Sequence, residues 1–578
     1  MADVRAIGER PHPVATADNE RVHAYLADRL RALGVATQER HYLIDPKGYA
    51  VLRGWNPEIS PSAELVDLIG VLPGRDRTLP ALALMAHTDT VWGSPGAADD
   101  TLGVVAILET LRAIEAKGQP ARDIVVVLTD GEEIGLSGAR AFWPSDSIAA
   151  HVGVVINLES RGAGGRATMF ETGAGNAAMI ALFAQGVAHP VADSMAVLAY
   201  RLMPNDTDFT VSREKGLPGF NFAMLGRPQY YHSPRATVDR VDPRTLQDLG
   251  DQALGIASAL AFAPSLPTAG RDAVFFDVAG HGLVHYAIGT GWLVLIAAAL
   301  AWAAAYWRAT RAGAIRPAAL AGGLGAMLWL LAHGVVALAA FNGLSGSGGH
   351  PNYYDRLAKL SALEWQAGLV ALAAMTAVFL LRRWPRRLLG LVPTLLLALF
   401  AWAQSVPHAL VLGMALVALL TGWLAPTREE TPWGGWLGAI LLLLVVAVAL
   451  QIKAPLAAWI FGWPALVLAL AAMLVAWSDA AFVRPTSFAI VAVAAAIVGV
   501  PLLPLAHLTF LGIGGPLAPA LAAFLPILAA AFWPLARIER GHRLALGAIA
   551  LLLLGATAIA IHVRHAPLAP TVPPYSDK

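Results

Sequence analysis

The chain has no cysteine in its 578 residues. Disulfides and thiolate metal sites are thereby excluded, so a bound metal would have to rest on His, Asp and Glu. Charge is scarce too: 14% of residues are Asp, Glu, Lys or Arg, and the net charge is +1. This balance implies no polyanionic partner, and no basic patch interleaved with aromatics points to nucleic acid. The opening residues, Met1-Ala2-Asp3-Val4-Arg5, lack the basic and apolar regions of a signal peptide. Apolar residues, by contrast, are abundant at 57%, above the usual share of a soluble protein. The length exceeds one domain. The apolar excess is also unevenly placed. Residues 1 to about 270 alternate apolar and charged segments, whereas from about 283 onward long Leu/Ala/Val/Trp runs are separated by short Arg-rich loops.

The first half reads as alternating strands and helices. Residues 17–33 place Val22, Tyr25, Leu26, Leu30 and Leu33 at helical spacing, with Gly34 as a C-terminal stop. Apolar runs at 65–72, 81–86, 123–128 and 152–156 read as strands, and the last two are continuous, as strands buried on both faces are. Helical patterns follow Asp100 and surround Ser137–Phe142. The expectation is an α/β fold, a three-layer sandwich with a mostly parallel central sheet. Such sheets bind ligands beyond the carboxyl ends of their strands.

The polar clusters stand at those ends. The run 82–86 delivers His87 and Asp89, two positions apart and so on one face, where Asp89 can orient the His87 ring. A turn-rich loop then leads to Asp99-Asp100 at a loop-to-helix junction. Alone, these could equally be loop polars capping the helix. Asp130-Gly131-Glu132-Glu133 follows the strand at 123–128, Asn157-Leu158-Glu159 ends the strand at 152–156, and Tyr230-Tyr231-His232-Ser233-Pro234 lies on a late loop. Each has a bland reading as a solvated acidic loop or a structural histidine. Together they offer His87, Asp99, Glu133, Glu159 and His232, a nitrogen-and-oxygen set that suits zinc and suffices for two ions sharing a carboxylate. Glu132, beside a ligand, would take a proton from water and return it to a leaving amine.

The ordered motifs HTD, GAADD, DGEE, NLE and YHSP resemble those of the co-catalytic zinc aminopeptidases of metallopeptidase family 28, over about residues 8–260. The resemblance implies that His87, Asp99 and Glu159 hold one Zn2+ and Asp99, Glu133 and His232 the other. Asp99 would then bridge, with Glu132 as the base and Asp89 supporting His87. It further implies a cis peptide bond after Asp99, a rare state for a non-proline residue. Two departures stand out: many relatives have aspartate where Glu159 stands, and Thr101-Leu102-Gly103 replaces the glycine-serine sequence that often follows the aspartates. The segments 205–209 (NDTDF) and 273–277 (AVFFD), ahead of many apolar runs, are similar to the endoplasmic reticulum metallopeptidase 1-like membrane subgroup and its bacterial counterparts. By that similarity Asp206 and Asp208 support the site or touch substrate. Arg201, Glu171 and Tyr231 are candidates for holding a substrate terminus.

The domain expectation is a zinc metallopeptidase domain at 1–265, a linker at 266–283, a membrane domain at 284–565 and a short tail at 566–578. A bilayer span needs roughly 20 apolar residues, and by that measure about ten runs qualify, near 285–307, 318–341, 366–381, 388–404, 408–425, 434–452, 457–477, 486–505, 509–533 and 544–562. Trp384, Trp433 and Trp436 sit near run ends, as interfacial anchors do. Arg308, Arg311 and Arg316, then Arg382, Arg383, Arg386 and Arg387, then Arg428, Arg484, Arg537, Arg540 and Arg543 fall in every second loop. The positive-inside rule places those loops in the cytoplasm and the peptidase domain outside, which calls for an export signal or preceding span ahead of Met1. Ionisable groups within the runs are few, His333 being the main one. An anchor or interaction scaffold is therefore favoured over a transport path.

The expectation is thus a membrane-anchored di-zinc metallopeptidase acting on peptides, most simply an aminopeptidase. A glutaminyl cyclase-like acyltransferase using a single zinc would keep the fold and change the chemistry. A non-catalytic receptor or scaffold would show loss of ligands or base.

Overall fold

The computed structural model describes residues 1–346, 356–380, 386–424, 432–513, 515–536 and 542–566. It falls into two compact units, one made chiefly of Met1–Ala287 and the other of the helices from Ile288 onward.

In chain order the first unit contains α1 (Ala2–Ile7), α2 (Ala17–Ala32), β1 (Ala36–Leu43), α3 (Pro46–Trp55), β2 (Glu64–Leu72), β3 (Ala81–His87), α4 (Thr101–Lys117), β4 (Ile124–Thr129) and α5 (Ser137–Ser145). It continues with β5 (Val152–Ser160), β6 (Gly164–Thr172), α6 (Ala177–Gly186), α7 (Ser194–Leu202), α8 (Asp208–Glu214), β7 (Gly219–Gly226), α9 (Pro243–Ala261) and the hairpin β8 (Ala273–Asp277) and β9 (Leu283–Ala287). Seven strands form one sheet in the order β1-β2-β4-β3-β5-β7-β6. The central four are mutually parallel, while β1, β2 and β6 join antiparallel. The sheet is therefore mixed, with its parallel part confined to the centre. That is where continuous apolar runs made parallel pairing legible; β3 and β4 are buried along their whole length.

Helices cover both faces, giving three layers. Leu68, Leu84, Val126 and Ile156 pack on one side with Leu26, Leu108, Phe183 and Leu249 from α2, α4, α6 and α9. Ile69, Met85, Val127 and Val155 pack on the other side with Phe142, Trp143 and Phe209 from α5 and α8. Each such fully buried side chain contributes about 2 kcal/mol relative to exposure. The alternation along each central strand thus fixes register, because a slip by one residue would exchange the two cores. Register brings His87 opposite Thr129, Met85 opposite Asn157, Asn157 opposite Asn221 and Asn221 opposite Glu171. The same face that carries the second core ends in a polar row.

In the second unit, seven helices among the described residues are long and apolar enough to cross a membrane: Thr290–Arg311, Pro317–Gly346, Leu360–Leu380, Trp433–Lys453, Trp459–Ser478, Pro485–Ile513 and Arg543–His565. The expected runs at 388–404 and 408–425 form shorter apolar helices. The run at 509–533 does not continue as one helix, since a 3-10 segment, Gly515–Phe524, precedes a short α-helix, Leu525–Phe532. Trp433 and Trp436 are fully buried and stack on each other with ring centroids 5.6 Å apart. They pack against Phe482, so they serve helix packing and not an interface with lipid. Gly323 meets the backbone of Gly434 so closely that a Cβ would lie 2.1 Å from the Gly434 carbonyl oxygen, the small-residue contact by which apolar helices approach. Two ionisable groups join His333: Glu364 and His507 lie within helices that extend past the expected run limits, and they pair at 2.5 Å. Trp384, Arg382, Arg383, Arg428, Arg537, Arg540 and residues 567–578 lie outside the described residues.

Candidate metal centre

Four parallel strands deliver the site at their carboxyl ends. His87 is the last residue of β3, Glu132 and Glu133 lie in the turn after β4, Glu159 is near the end of β5, and His232 follows β7. Asp99 arrives on the loop before α4, and the Asp99–Asp100 peptide bond is cis. Asp100 caps α4, its Oδ1 accepting the Gly103 N–H at 3.1 Å. A Cβ on Gly103 would lie 2.4 Å from the Asp100 carboxylate. The departure at 101–103 therefore keeps the one glycine that the cap requires.

The structure brings all five expected ligands together. His87 Nε2 stands 3.2 Å from Asp99 Oδ1 and 3.7 Å from Glu159 Oε2. His232 Nε2 stands 3.1 Å from Asp99 Oδ2 and 2.9 Å from Glu133 Oε1. Asp99 thus presents one oxygen to each imidazole. Three sets result, His87/Asp99/Glu159, Asp99/Glu133/His232 and His87/Glu132/Glu133, each with donor atoms within 4.8 Å of one another, and the first two share Asp99. The three carboxylates have no lysine or arginine partner among the described residues, although the site is buried. Clustered buried carboxylates held only by imidazoles favour a further positive charge, and imidazole plus carboxylate is the donor chemistry of zinc. The residues fit a metal pair.

Electrostatics in the metal-free protein follow. Burial alone would raise Asp99, but hydrogen bonds from His232 and His87 outweigh it and bring its carboxyl down to about 2. Burial opposes the charge on His232, yet the Glu133 and Asp99 carboxylates win and lift it to about 9. Burial pushes Glu159 up to about 8. It also holds Glu132 well above the ordinary carboxyl range, with the Glu159 charge adding to the effect. A carboxylate so placed binds a proton readily, as a general base must.

Asp89 faces the His87 ring as expected and has a second task. The nearest oxygen to His87 Nδ1 is the Asp89 main-chain carbonyl at 3.0 Å, with the carboxylate farther at 3.5 Å. The carboxylate also accepts the backbone N–H groups of Glu132 at 3.0 Å and Glu133 at 3.2 Å. It therefore braces the turn that aims the base and a ligand. Asp208 is buried and accepts from the Thr129 hydroxyl, whereas Asp206 is exposed. Of the three candidates for a substrate terminus, Glu171 is already engaged, lying fully buried 2.7 Å from Arg213. Arg201 lies 3.5 Å from Asp272, and Tyr231 stacks on His232 with centroids 3.7 Å apart. Asn157 stood in the NLE motif without a role of its own, and Asn221 and Arg213 were not expected. Asn221 and Arg213 come from regions without a recognisable motif; pairing of β7 with β5 and β6 brings Asn221 near, and packing of α8 on the sheet brings Arg213. Beside Asp99 a small cavity of about 10 Å³, room for about one water, is walled by Ala98, Gly162, Ala163, Ala236 and Tyr230.

Residues 67–257 match the model of Peptidase family M28. Over 307 residues it is 28% identical to endoplasmic reticulum metallopeptidase 1 of Mus musculus, a match covering 51% of this chain and 34% of that protein. To the vacuolar membrane protease of Candida albicans it is 32% identical over 254 residues, covering 44% of this chain and 29% of the relative. The chain thus spans about a third of the length of the curated relatives it matches. Among solved structures, a zinc aminopeptidase from Bacillus subtilis is 13% identical with a TM-score of 0.36, covering 46% of this chain and 96% of that one. A glutaminyl cyclase from Fimbriiglobus ruber is 15% identical with a TM-score of 0.35, covering 44% and 94%.

Proposed function

We propose that this protein is a membrane-anchored, two-zinc metallopeptidase that removes amino-terminal residues from peptides. The observation that carries the reading is the pair of donor sets sharing Asp99, with Glu132 in the turn beside them. His87, Asp99 and Glu159 would hold one ion, and Asp99, Glu133 and His232 the other. When bound, such a pair supplies Lewis acidity to a carbonyl and acidifies water. Glu132 accepts the proton of the attacking water and delivers it to the departing amine. Asp89 keeps Glu132 in place through the main chain. The M28 match supports peptide hydrolysis, and the relatives, a metallopeptidase and a membrane protease by name, support a membrane setting. So do the seven apolar helices. The bias of arginine toward alternate loops supports placing the peptidase unit on the extracytoplasmic side.

A cyclase needs only one complete ion site. Retention of both donor sets and of Glu132 favours hydrolysis. The test is cleavage of a panel of aminoacyl fluorogenic amides and longer peptides by the detergent-purified full chain, with and without chelator. Activity that zinc restores after chelation, and that Glu132→Gln removes, is the expected result. A zinc-replete wild type that cleaves nothing in the panel would sink the reading.

A further inference from the structure

Behind Glu159 the sheet carries a row of hydrogen-bonded side chains that the metal set itself does not use. Asn157 Nδ2 donates to Glu159 Oε1 at 3.2 Å and to Asn221 Oδ1 at 3.0 Å. Asn221 Nδ2 in turn donates to Glu171 Oε2 at 3.1 Å and to Thr207 Oγ1 at 2.8 Å. Glu171 Oε1 faces Arg213 at 2.7 Å. Asn157, Asn221 and Glu171 are each fully buried. They stand opposite one another on β5, β7 and β6, so the row is set by strand register and not by loop conformation.

The row has a direction. The Glu171 carboxylate, held by Arg213, can only accept, so the Asn221 amide must turn its NH2 toward Glu171 and its oxygen toward Asn157. That oxygen in turn fixes the Asn157 NH2 toward Asn221 and Glu159. Both Asn157 N–H groups are then used, and its own Oδ1 is buried without a hydrogen bond. A buried unpaired acceptor is costly. What the side chain supplies is therefore its pair of donors, one of them aimed at Glu159. Of the two Glu159 oxygens, Oε1 is taken by the amide and Oε2 faces His87 at 3.7 Å.

We propose that Asn157, Asn221 and Glu171 are positioning residues that hold Glu159 so that a single carboxylate oxygen, Oε2, is presented to the ion held with His87 and Asp99. The inference rests on the metallopeptidase reading above. It makes the two ion sites unequal. The ligand Glu133 is held by its backbone through Asp89, whereas Glu159 is held through its side chain by a row that runs to the sheet edge. Loss of the row therefore loosens one site and spares the other.

The experiment is competition of Zn2+ against a chelator for the metal-depleted full chain in detergent. It compares wild type with Asn157→Leu and Asn221→Leu, with Glu171→Gln as a milder variant should either leucine fail to fold. Partners that orient metal ligands are worth roughly 10–100-fold in affinity. The expected result is two ions in wild type and, in each variant, one ion weakened by about 10-fold or more while the other stays within about 2-fold. Isotherms matching wild type, or equal weakening of both ions, would overturn the proposal. A wild type that takes up a single ion would end the two-zinc reading, and the row would then be judged on whether the variants weaken that ion.

Discussion

The two units bury polar side chains in opposite ways. In the first unit they converge on one another: His87, Asp99, Glu133, Glu159 and His232 meet at the strand ends, with Asp89 and Asn157 bound to the same cluster. In the helical unit several turn to main-chain carbonyls of neighbouring helices or loops, beside two buried side-chain pairs, His333 with Thr394 and Ser487 with Asp479. Gln366 donates to Phe341 O, Gln451 to Ile288 O, Trp302 to Leu437 O and Trp433 to Ala480 O. The first arrangement gathers carboxylates with imidazoles and without lysine or arginine among the described residues, the chemistry of a site that takes up a cation. The second fastens helices together and leaves little over. Chemistry is concentrated in one unit, and the polar groups of the other are spent on packing.

The sharpest way to break this comparison is to remove a group that the first unit needs for reaction and not for folding. Glu132→Gln keeps shape and its backbone bond to Asp89. It should lower kcat by roughly 10²–10⁴-fold, the usual share of general acid–base catalysis, with zinc uptake unchanged by metal analysis. Asp89→Asn comes next. It keeps one acceptor oxygen and loses the other, so one of the two N–H groups of the Glu132–Glu133 turn is left without its bond. A fall in kcat of about 10–100-fold is expected, as for other groups that orient ligands, with KM changed far less. Equal wild-type and variant rates would return Asp89 to a merely structural role.

Much of this site was legible in the sequence because its residues follow short apolar strands, and strand ends in a parallel sheet are where ligands gather. His87, Asp99, Glu132, Glu133, Glu159 and His232 each sit within a compact motif. Asn221 and Glu171 do not. Their place in the row depends on β6 and β7 pairing beside β5, with an antiparallel edge that no local pattern foretells. The same limit explains the sheet. Continuous apolar runs at β3, β4 and β5 announced parallel strands, while β1, with its exposed and half-buried residues, carries no such signal and pairs antiparallel. In the helical unit the expected runs and the observed helices differ in length. Apolar composition marked ten runs, but proline and helix breaks, which composition averages over, shorten the region around 509–533.

A pH experiment sharpens the contrast further. Without metal, the folded protein holds protons that the unfolded chain releases. Burial lifts Glu159 from 4.5 to about 8. His232, despite burial, is lifted from 6.5 to about 9 by Glu133 and Asp99. Both raised values mean more protons bound in the folded state across that window, so stability falls as pH rises from about 4.5 toward about 9. Asp99, lowered to about 2, acts only at the acid end, where stability rises with pH through its titration. The metal-free full chain should therefore melt higher near pH ~5.5 than near pH ~8.5, by about 5 °C or more. Saturating zinc, which binds the deprotonated ligands, should abolish or reverse that order. A metal-free melting temperature that rises across the same interval would show that the site does not carry the charge states described.

The smallest effect tests the other side of the comparison. Gln451 Nε2 donates to Ile288 O at 2.9 Å, and the side chain packs so closely against Gly291 that a Cβ there would lie 2.4 Å from Gln451 Oε1. Gln451→Leu removes the donor and leaves the Ile288 carbonyl without it, at a cost of about 1 kcal/mol. Because that carbonyl belongs to the packing of the helical unit and not to the metal cluster, the loss should appear as a slightly lower melting temperature with kcat/KM unchanged. A variant that melts normally but hydrolyses peptides poorly would mean that the polar groups of the helical unit do more than fasten helices, and the division of labour between the two units would have to be redrawn.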